Sequence, residues 1–215
     1  MIAREGIPFI LPAWVASLLF LALYLATQRT GWLILFVPVS ILTVFLTSFF
    51  RDPERTPPAG ENLILSPGDG KIILIEPFVD EQGRKYKLVS MFLSVFDVHI
   101  NRIPISGTVT SIKYTEGEFR RAFEREAVTE NERNEITIES PSGSVKFAQV
   151  AGILARRIVC RIKLGEKVTR GERFGMIKFG SRIDLFLTED VELRVKVGDK
   201  VIGGETVIGA FKRDV

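Results

Sequence analysis

Gly165-Glu166-Lys167-Val168-Thr169-Arg170-Gly171-Glu172 returns 33 residues further on as Gly198-Asp199-Lys200-Val201-Ile202-Gly203-Gly204-Glu205. In each copy the glycines mark tight turns, and the Lys-Val pair between them is a strand stub. Each copy leads into an apolar strand, Phe174 to Phe179 after the first and Thr206 to Phe211 after the second. Working outward, Lys71 to Glu76, Lys87 to Phe96, Val109 to Tyr114, Glu135 to Glu139, Val145 to Val150 and Ile158 to Ile162 are short apolar or alternating runs. Glycine, proline and asparagine punctuate them, which is the pattern of β-strands. Ser140-Pro141-Ser142-Gly143 sits between two alternating runs as a hairpin connection. Only Glu118 to Ala127 (EFRRAFEREA) reads as a helix in this region. Residues 62–215 are therefore expected to form a mainly β domain organised around an internal repeat.

The opening of the chain follows a different rule. Between Gly6 and Phe50 the only charged side chain is Arg29. The stretch divides into two apolar runs, Ile7 to Thr27 and Trp32 to Phe50, each close to the ~20 residues that span a hydrocarbon core. Gln28-Arg29-Thr30-Gly31 between them reads as a tight polar turn, so residues 1–50 are expected to form a helical hairpin anchored in a membrane. Pro8 and Pro12 fall near the start of the first helix, where proline is tolerated, and Pro38 is expected to kink the second. A signal peptide has one apolar run, and the second run argues against that reading. Arg4, Arg51 and Arg55 flank the hairpin against Arg29 alone in the turn. The positive-inside bias then puts both chain ends, and the β domain, on the cytoplasmic side of the cell membrane. Arg51 to Glu61 (RDPERTPPAGE) is a proline-rich, charged linker between the two parts.

Composition removes several function classes. The net charge is only +3, without the concentrated basic face of a nucleic-acid binder, so no nucleic-acid partner is expected. One histidine, His99, and one cysteine, Cys160, exclude a structural zinc site, and no metal is expected. Cys160 lies in the apolar run Ile158-Val159-Cys160 and reads as a core residue.

Four segments could carry chemistry, and each has a plain structural reading beside it. Ser66-Pro67-Gly68-Asp69-Gly70 precedes a strand and by itself is a turn. Phe96 to Pro104 packs Asp97, His99, Asn101 and Arg102 into one extended stretch, with the first three on one face. A lone histidine is usually structural, but its titration near neutrality also suits proton transfer. Asn131-Glu132-Arg133-Asn134 reads by default as a solvated loop. Gly180-Ser181 interrupts two apolar runs, and such a pair usually marks a turn or bulge, as Gly143-Ser144 does.

Taken together and in order, these segments carry a resemblance. The G-(D/E)-K-V-x-x-G-E repeat resembles the barrel-sandwich half-motif of lipoyl and biotinyl carrier domains, so a duplicated, barrel-sandwich-hybrid-like β fold is expected. Phe50 to Arg55, Ser66 to Gly70, Phe96 to Pro104, Asn131 to Asn134, Gly152 to Ile158 and Phe179-Gly180-Ser181-Arg182 resemble the short archaeal and bacterial phosphatidylserine decarboxylase proenzymes. The likeness runs from about residue 6 to residue 212, and the Gly-Ser-Arg and Asn-Glu-Arg-Asn segments are its most specific parts.

That resemblance implies a self-cleaving precursor. The Ser181 hydroxyl attacks the Gly180 carbonyl, the resulting ester undergoes β-elimination, and residue 181 becomes a pyruvoyl group. The products are a chain of residues 1–180 and a chain of residues 181–215, which stay together as a heterodimer. Whether such heterodimers pair further stays open. The pyruvoyl cofactor would form a Schiff base with the serine headgroup of a membrane phospholipid and act as an electron sink for decarboxylation to the ethanolamine lipid. An ether-linked archaeal lipid offers the same headgroup. His99 would be the general acid, and Asp69 would orient or polarise a base during self-cleavage. Longer relatives carry two histidines three apart. Here Arg102 stands at the second position, so their Asp-His-Ser triad does not transfer. The alternative of another class is a non-enzymatic, membrane-tethered adaptor, which predicts an intact chain.

Overall fold

The computed structural model describes residues 1–118, 127–152, 158–178 and 181–212. The chain divides into two compact units, Met1–Glu54 and Arg55–Val215. In the first, Ile7–Thr27 (α1) and Thr30–Phe49 (α2) form the hairpin. The turn is tighter than the sequence suggested. Gln28 closes α1 in the left-handed region at φ 53°, with its N–H bonded to the Tyr24 carbonyl, so α2 already starts at Thr30 and Gly31 lies inside it. Ser17 and Ser40 meet across the helices at 2.7 Å. The N-terminus pairs with the chain leaving α2, through Ala3 N–H to Phe50 O and Asp52 N–H to Met1 O, both 2.8 Å. Both helices are long and apolar enough to cross a membrane. Leu11, Val15, Ile34, Ile41 and Val44 are exposed on them.

The second unit contains fourteen strands among the described residues. They are β1 (Leu63–Leu65), β2 (Gly70–Val79), β3 (Lys85–Leu93), β4 (Ile100–Arg102), β5 (Gly107–Thr115), β6 (Arg133–Ser140), β7 (Gly143–Val150), β8 (Ile158–Cys160), β9 (Lys167–Val168), β10 (Arg173–Ile177), β11 (Ser181–Leu187), β12 (Val191–Leu193), β13 (Lys200–Val201) and β14 (Val207–Phe211). One helical turn, α3 (Ala127–Glu130), precedes β6. Most of the helix expected over Glu118 to Ala127 lies outside the described residues, and Glu118 itself bridges to Asn131. A curled sheet runs β13-β2-β3-β11-β7-β6-β5-β9, and two three-stranded sheets run β1-β14-β12 and β4-β10-β8. The mainly β, barrel-sandwich-like architecture expected from the sequence is what forms.

The repeat explains the topology. Each Lys-Val stub pairs with the start of a long strand: Val168 faces Gly107 on β5, and Val201 faces Gly70 on β2. Around them the backbone bonds repeat. Gly165 N–H reaches Val109 O as Gly198 N–H reaches Ile72 O, and Val109 N–H reaches Glu166 O as Ile72 N–H reaches Asp199 O. β10 then pairs with β4, and β14 with β1. Two copies of one unit are thus interleaved about a shared core. Gly70 and Gly107 occupy matching positions, and a Cβ on either would lie 2.3 or 2.1 Å from a carbonyl oxygen of the neighbouring strand. Only glycine fits there.

The long strands alternate strictly. Ile183, Leu185 and Leu187 of β11 point into the main core with Met91, Val89, Phe147 and Val145 from its two neighbours. Phe186 points to the opposite face, against Leu88, Ala148 and Val150. Because β11 lies between β3 and β7 in the curled sheet, all seven of its residues are buried.

Candidate active site

β11 begins with Ser181, directly opposite Leu93, the last residue of β3. Ser181, for which a turn was the plain structural reading, is instead the head of a central strand. By alternation, the Ser181 side chain faces the main core, as Ile183 does. Its Oγ is fully buried and has no hydrogen-bond partner among the described residues. A buried hydroxyl without a partner costs about 1–3 kcal/mol, so it marks a place where something other than stability is served. Gly180, the residue expected before the cleaved bond, lies outside the described residues.

After Leu93 the chain turns through Ser94 to Asp97, where the Asp97 carboxylate accepts the Ser94 N–H at 2.8 Å. This turn ends β3 short of the expected Phe96 and delivers His99 to β4. Ile100 pairs with Met176 of β10, so His99 lies one step further along, at the end of β10 that leads towards residue 181. The His99 ring is buried, with Nδ1 3.0 Å from the Asp97 carbonyl. A carbonyl can only accept, so Nδ1 carries the hydrogen, and Nε2 is the nitrogen left to take or give a proton in the neutral ring.

Asp69 sits in the loop before β2. Its Oδ1 accepts the Gly203 N–H at 2.8 Å, and its Oδ2 pairs with Arg55 at 2.8 Å. The repeat shows what part of this is architecture: Ser106, before β5, accepts the Arg170 N–H at 2.9 Å in the matching place. The carboxylate and its arginine are the additions. Arg102, which stands where longer relatives carry a histidine, donates to the Gly171 carbonyl at 2.9 Å. Its guanidinium holds the turn of the first repeat copy.

The structure joins residues of separate segments into two buried polar groups, and Ser90 and Gln149 within them were not singled out by the sequence. On the outer face, Arg182 Nε donates to Asp184 Oδ1 and Arg182 Nη2 to Ser90 Oγ, both at 2.6 Å. Burial pushes the Asp184 carboxyl up from its ordinary range, opposed by Arg182. On the core face, Asn134 Nδ2 donates to Gln149 Oε1 at 3.1 Å, and Gln149 Nε2 donates to Asn101 Oδ1 at 2.8 Å. Asn131, expected in a solvated loop, is buried and donates to Ala151 O at 2.7 Å. The available signal was phase: Gln149 and Asp184 occupy buried positions within otherwise apolar runs. Cys160 is a partly buried thiol whose pKa burial pushes up, in keeping with a packing role. A groove on the outer face, lined by Phe78, Arg84, Arg133 and Lys146, includes none of Ser181, His99 and Asp69. Among the described residues, no three or more His, Cys, Asp or Glu side chains are grouped to hold a metal.

Residues 42–209 match the family model for phosphatidylserine decarboxylase, which takes in the linker, every element of the site and both repeat copies. The chain belongs to the phosphatidylserine decarboxylase family. Its similarity to curated members extends beyond that region. It is 44% identical to the phosphatidylserine decarboxylase proenzyme of Pelobacter propionicus, covering 97% of this chain and 96% of that one. Against the proenzyme of Syntrophus aciditrophicus it is 45% identical, covering 98% and 97%. Against that of Chlorobium limicola it is 48% identical over 79% of this chain and 81% of the relative. Membership makes the chain a decarboxylase, a lyase of phospholipid biosynthesis. The apolar hairpin fits a decarboxylase whose substrate is a membrane lipid.

Proposed function

We propose that this chain is a precursor that cleaves itself between Gly180 and Ser181 and then decarboxylates the serine headgroup of a phospholipid through a pyruvoyl group made from Ser181. The observation that carries the reading is the Ser181 hydroxyl itself, buried at the head of the central strand without a partner among the described residues. An apolar side chain in that position would fill the space without the cost of burying an unpaired hydroxyl. The family relatives named as proenzymes support a precursor, and the residue suits the group: it becomes the first residue of a strand held on both sides by β3 and β7.

A pyruvoyl ketone supplies an acceptor for the headgroup amine and a sink for the electrons released with carbon dioxide. The chain's own residues do the rest. β11 holds residue 181 against Leu93 after the bond before it is broken, so the new chain end stays in the core. The buried surroundings of residue 181 would exclude water from the reacting centre. His99, through Nε2, returns a proton to the former α-carbon. We assign Asp69 to orienting the self-cleavage machinery, with Arg55 fixing its carboxylate.

In this reading the hairpin spans the cell membrane with both ends cytoplasmic, and it keeps the domain beside a headgroup whose tails remain in the bilayer. The two cleavage products remain together as a heterodimer because β11 is hydrogen-bonded between strands of the longer product. Ester-linked and ether-linked serine lipids both present the reacting headgroup. The test is denatured intact mass of the wild type beside Ser181→Ala. Two wild-type chains split after Gly180, the smaller carrying a carbonyl in place of its amine, support the proposal, and the mutant then stays whole. A wild-type chain that remains intact after folding overturns it.

A further inference from the structure

The amide row on the core face has a fixed polarity. Gln149 Nε2 also lies 3.2 Å from the Val159 carbonyl, which can only accept, so that end of the amide is the NH2 group. Its Oε1 must then receive from Asn134, and its second hydrogen must go to Asn101 Oδ1. Asn101 is thereby left with its NH2 group pointing onward. That Nδ2 is fully buried and has no acceptor among the described residues. One carbonyl on β8 thus orients three side chains and leaves a directed donor at the end of the row.

The donor lies at the serine's end of the sheet. A methyl group on Gly68 would lie 2.8 Å from Ile183 Cδ1, 3.3 Å from Leu93 Cδ2 and 3.7 Å from Asn101 Nδ2. Leu93 is the cross-strand partner of Ser181, and Ile183 follows Ser181 on the same face of β11. Gln149 stands opposite Ile183 on the other side. A hydroxyl on β11 and an amide donor on β4, each without a partner among the described residues, therefore lie towards one end of the core face of the curled sheet, both fully buried.

We propose that Asn101 supplies the hydrogen bond that stabilises the oxyanion of self-cleavage, and that Gln149 is its positioning residue. The inference builds on cleavage before residue 181. In the first step a bond forms from Ser181 Oγ to the carbonyl carbon that precedes Ser181 N, and the electron pair of the carbonyl moves onto its oxygen. When that pair returns, the carbon–nitrogen bond breaks, and the hydroxyl proton ends on the freed Ser181 nitrogen. The oxygen carries its charge only in passing. A donor without an acceptor among the described residues, met only when the oxyanion forms, is differential stabilisation.

Self-cleavage of the full chain is followed by intact mass after synthesis at low temperature, with and without hydroxylamine, which cuts an ester but not an amide. Removing an oxyanion donor slows such a step about 100-fold. Asn101→Ala and Asn101→Asp are expected to show that loss, with no hydroxylamine-sensitive chain building up, because the ester itself forms slowly. Gln149→Met is expected to slow cleavage about 10-fold by releasing the Asn101 amide, again without a build-up of hydroxylamine-sensitive ester. Thermal melting of each substitution on a Ser181→Ala background separates folding from chemistry. Wild-type cleavage rates in a folded Asn101→Ala chain overturn the inference. So does a build-up of hydroxylamine-sensitive ester, which puts the defect after the acyl shift. A wild-type chain that never divides removes self-cleavage itself, whatever Asn101 does.

Discussion

Arg182 and Asp184, two residues apart on one face of β11, form an ion pair of 2.6 Å with each side chain only 1% exposed. The pair lies immediately behind Ser181 and is tied to β3 through Ser90. A buried pair is weak evidence for net stability, because desolvation offsets most of the attraction. It does hold one geometry. Arg182, the residue after Ser181, is thereby anchored to the neighbouring strand.

Breaking the pair from one side should therefore be far worse than removing it whole. Arg182→Ala leaves a carboxylate buried without its cation and is expected to cost about 3–5 kcal/mol. Arg182→Met combined with Asp184→Leu should recover most of that loss. Denaturant unfolding on a Ser181→Ala background gives both numbers, and equal losses for the single and double substitutions would contradict the assignment.

The same carboxyl sets a pH dependence of known sign. Burial, the largest influence, raises the folded-state pKa of Asp184 above its ordinary 3.8. Between those two values the folded state holds a proton that the unfolded chain has released, so stability from this group falls as pH rises through that window. Asp184→Asn should be less stable overall, since Arg182 loses its partner, yet flatter in its stability above about pH 4. Melting temperatures from pH 4 upward, taken beside the wild type, test the slope.

The sequence was legible where one physical rule dominated. Two apolar runs made the hairpin plain, and the Gly-Lys-Val-Gly repeat marked both strand stubs, β9 and β13, which pair as a duplicated unit should. Strand ends were less legible because they depend on side-chain capping: β3 stops at Leu93 when Asp97 accepts the Ser94 N–H. The Asn134-Gln149-Asn101 row was hidden, since it joins three strands that are distant in sequence. No local pattern announces which polar residues a fold will stack together.

Gly175 gives a test of that row from outside it. A Cβ there would meet the Val159 carbonyl oxygen at 2.2 Å and Gln149 Nε2 at 3.0 Å. Gly175→Ala should push β8 away from β10 and disturb the Gln149 amide, costing about 1–3 kcal/mol as overpacking does. Gly83→Ala is the control, because its Cβ would meet nothing within 4 Å, although its φ of +76° disfavours a side chain. Gly175→Ala should slow self-cleavage as well as lower the melting point, whereas Gly83→Ala should only lower the melting point.

Asp69 can be divided into its structural and chemical parts by borrowing from its own repeat. Ser106 makes the matching loop bond to a backbone N–H with a hydroxyl, so Asp69→Ser should preserve the bond to Gly203 while losing the pair with Arg55. That pair is partly exposed and should be worth no more than about 1 kcal/mol. Folding should therefore survive with a small loss. If the carboxylate orients the self-cleavage machinery, the Asp69→Ser chain should fold and yet divide at least about 10-fold more slowly than wild type, the low end for a positioned acid–base group. Arg55→Ala should give a milder version of the same defect, since Asp69 keeps its charge but loses one of its two anchors. Intact mass against time, with melting curves on a Ser181→Ala background, measures both. Unchanged cleavage in Asp69→Ser would reduce Asp69 to the loop anchor that Ser106 already is.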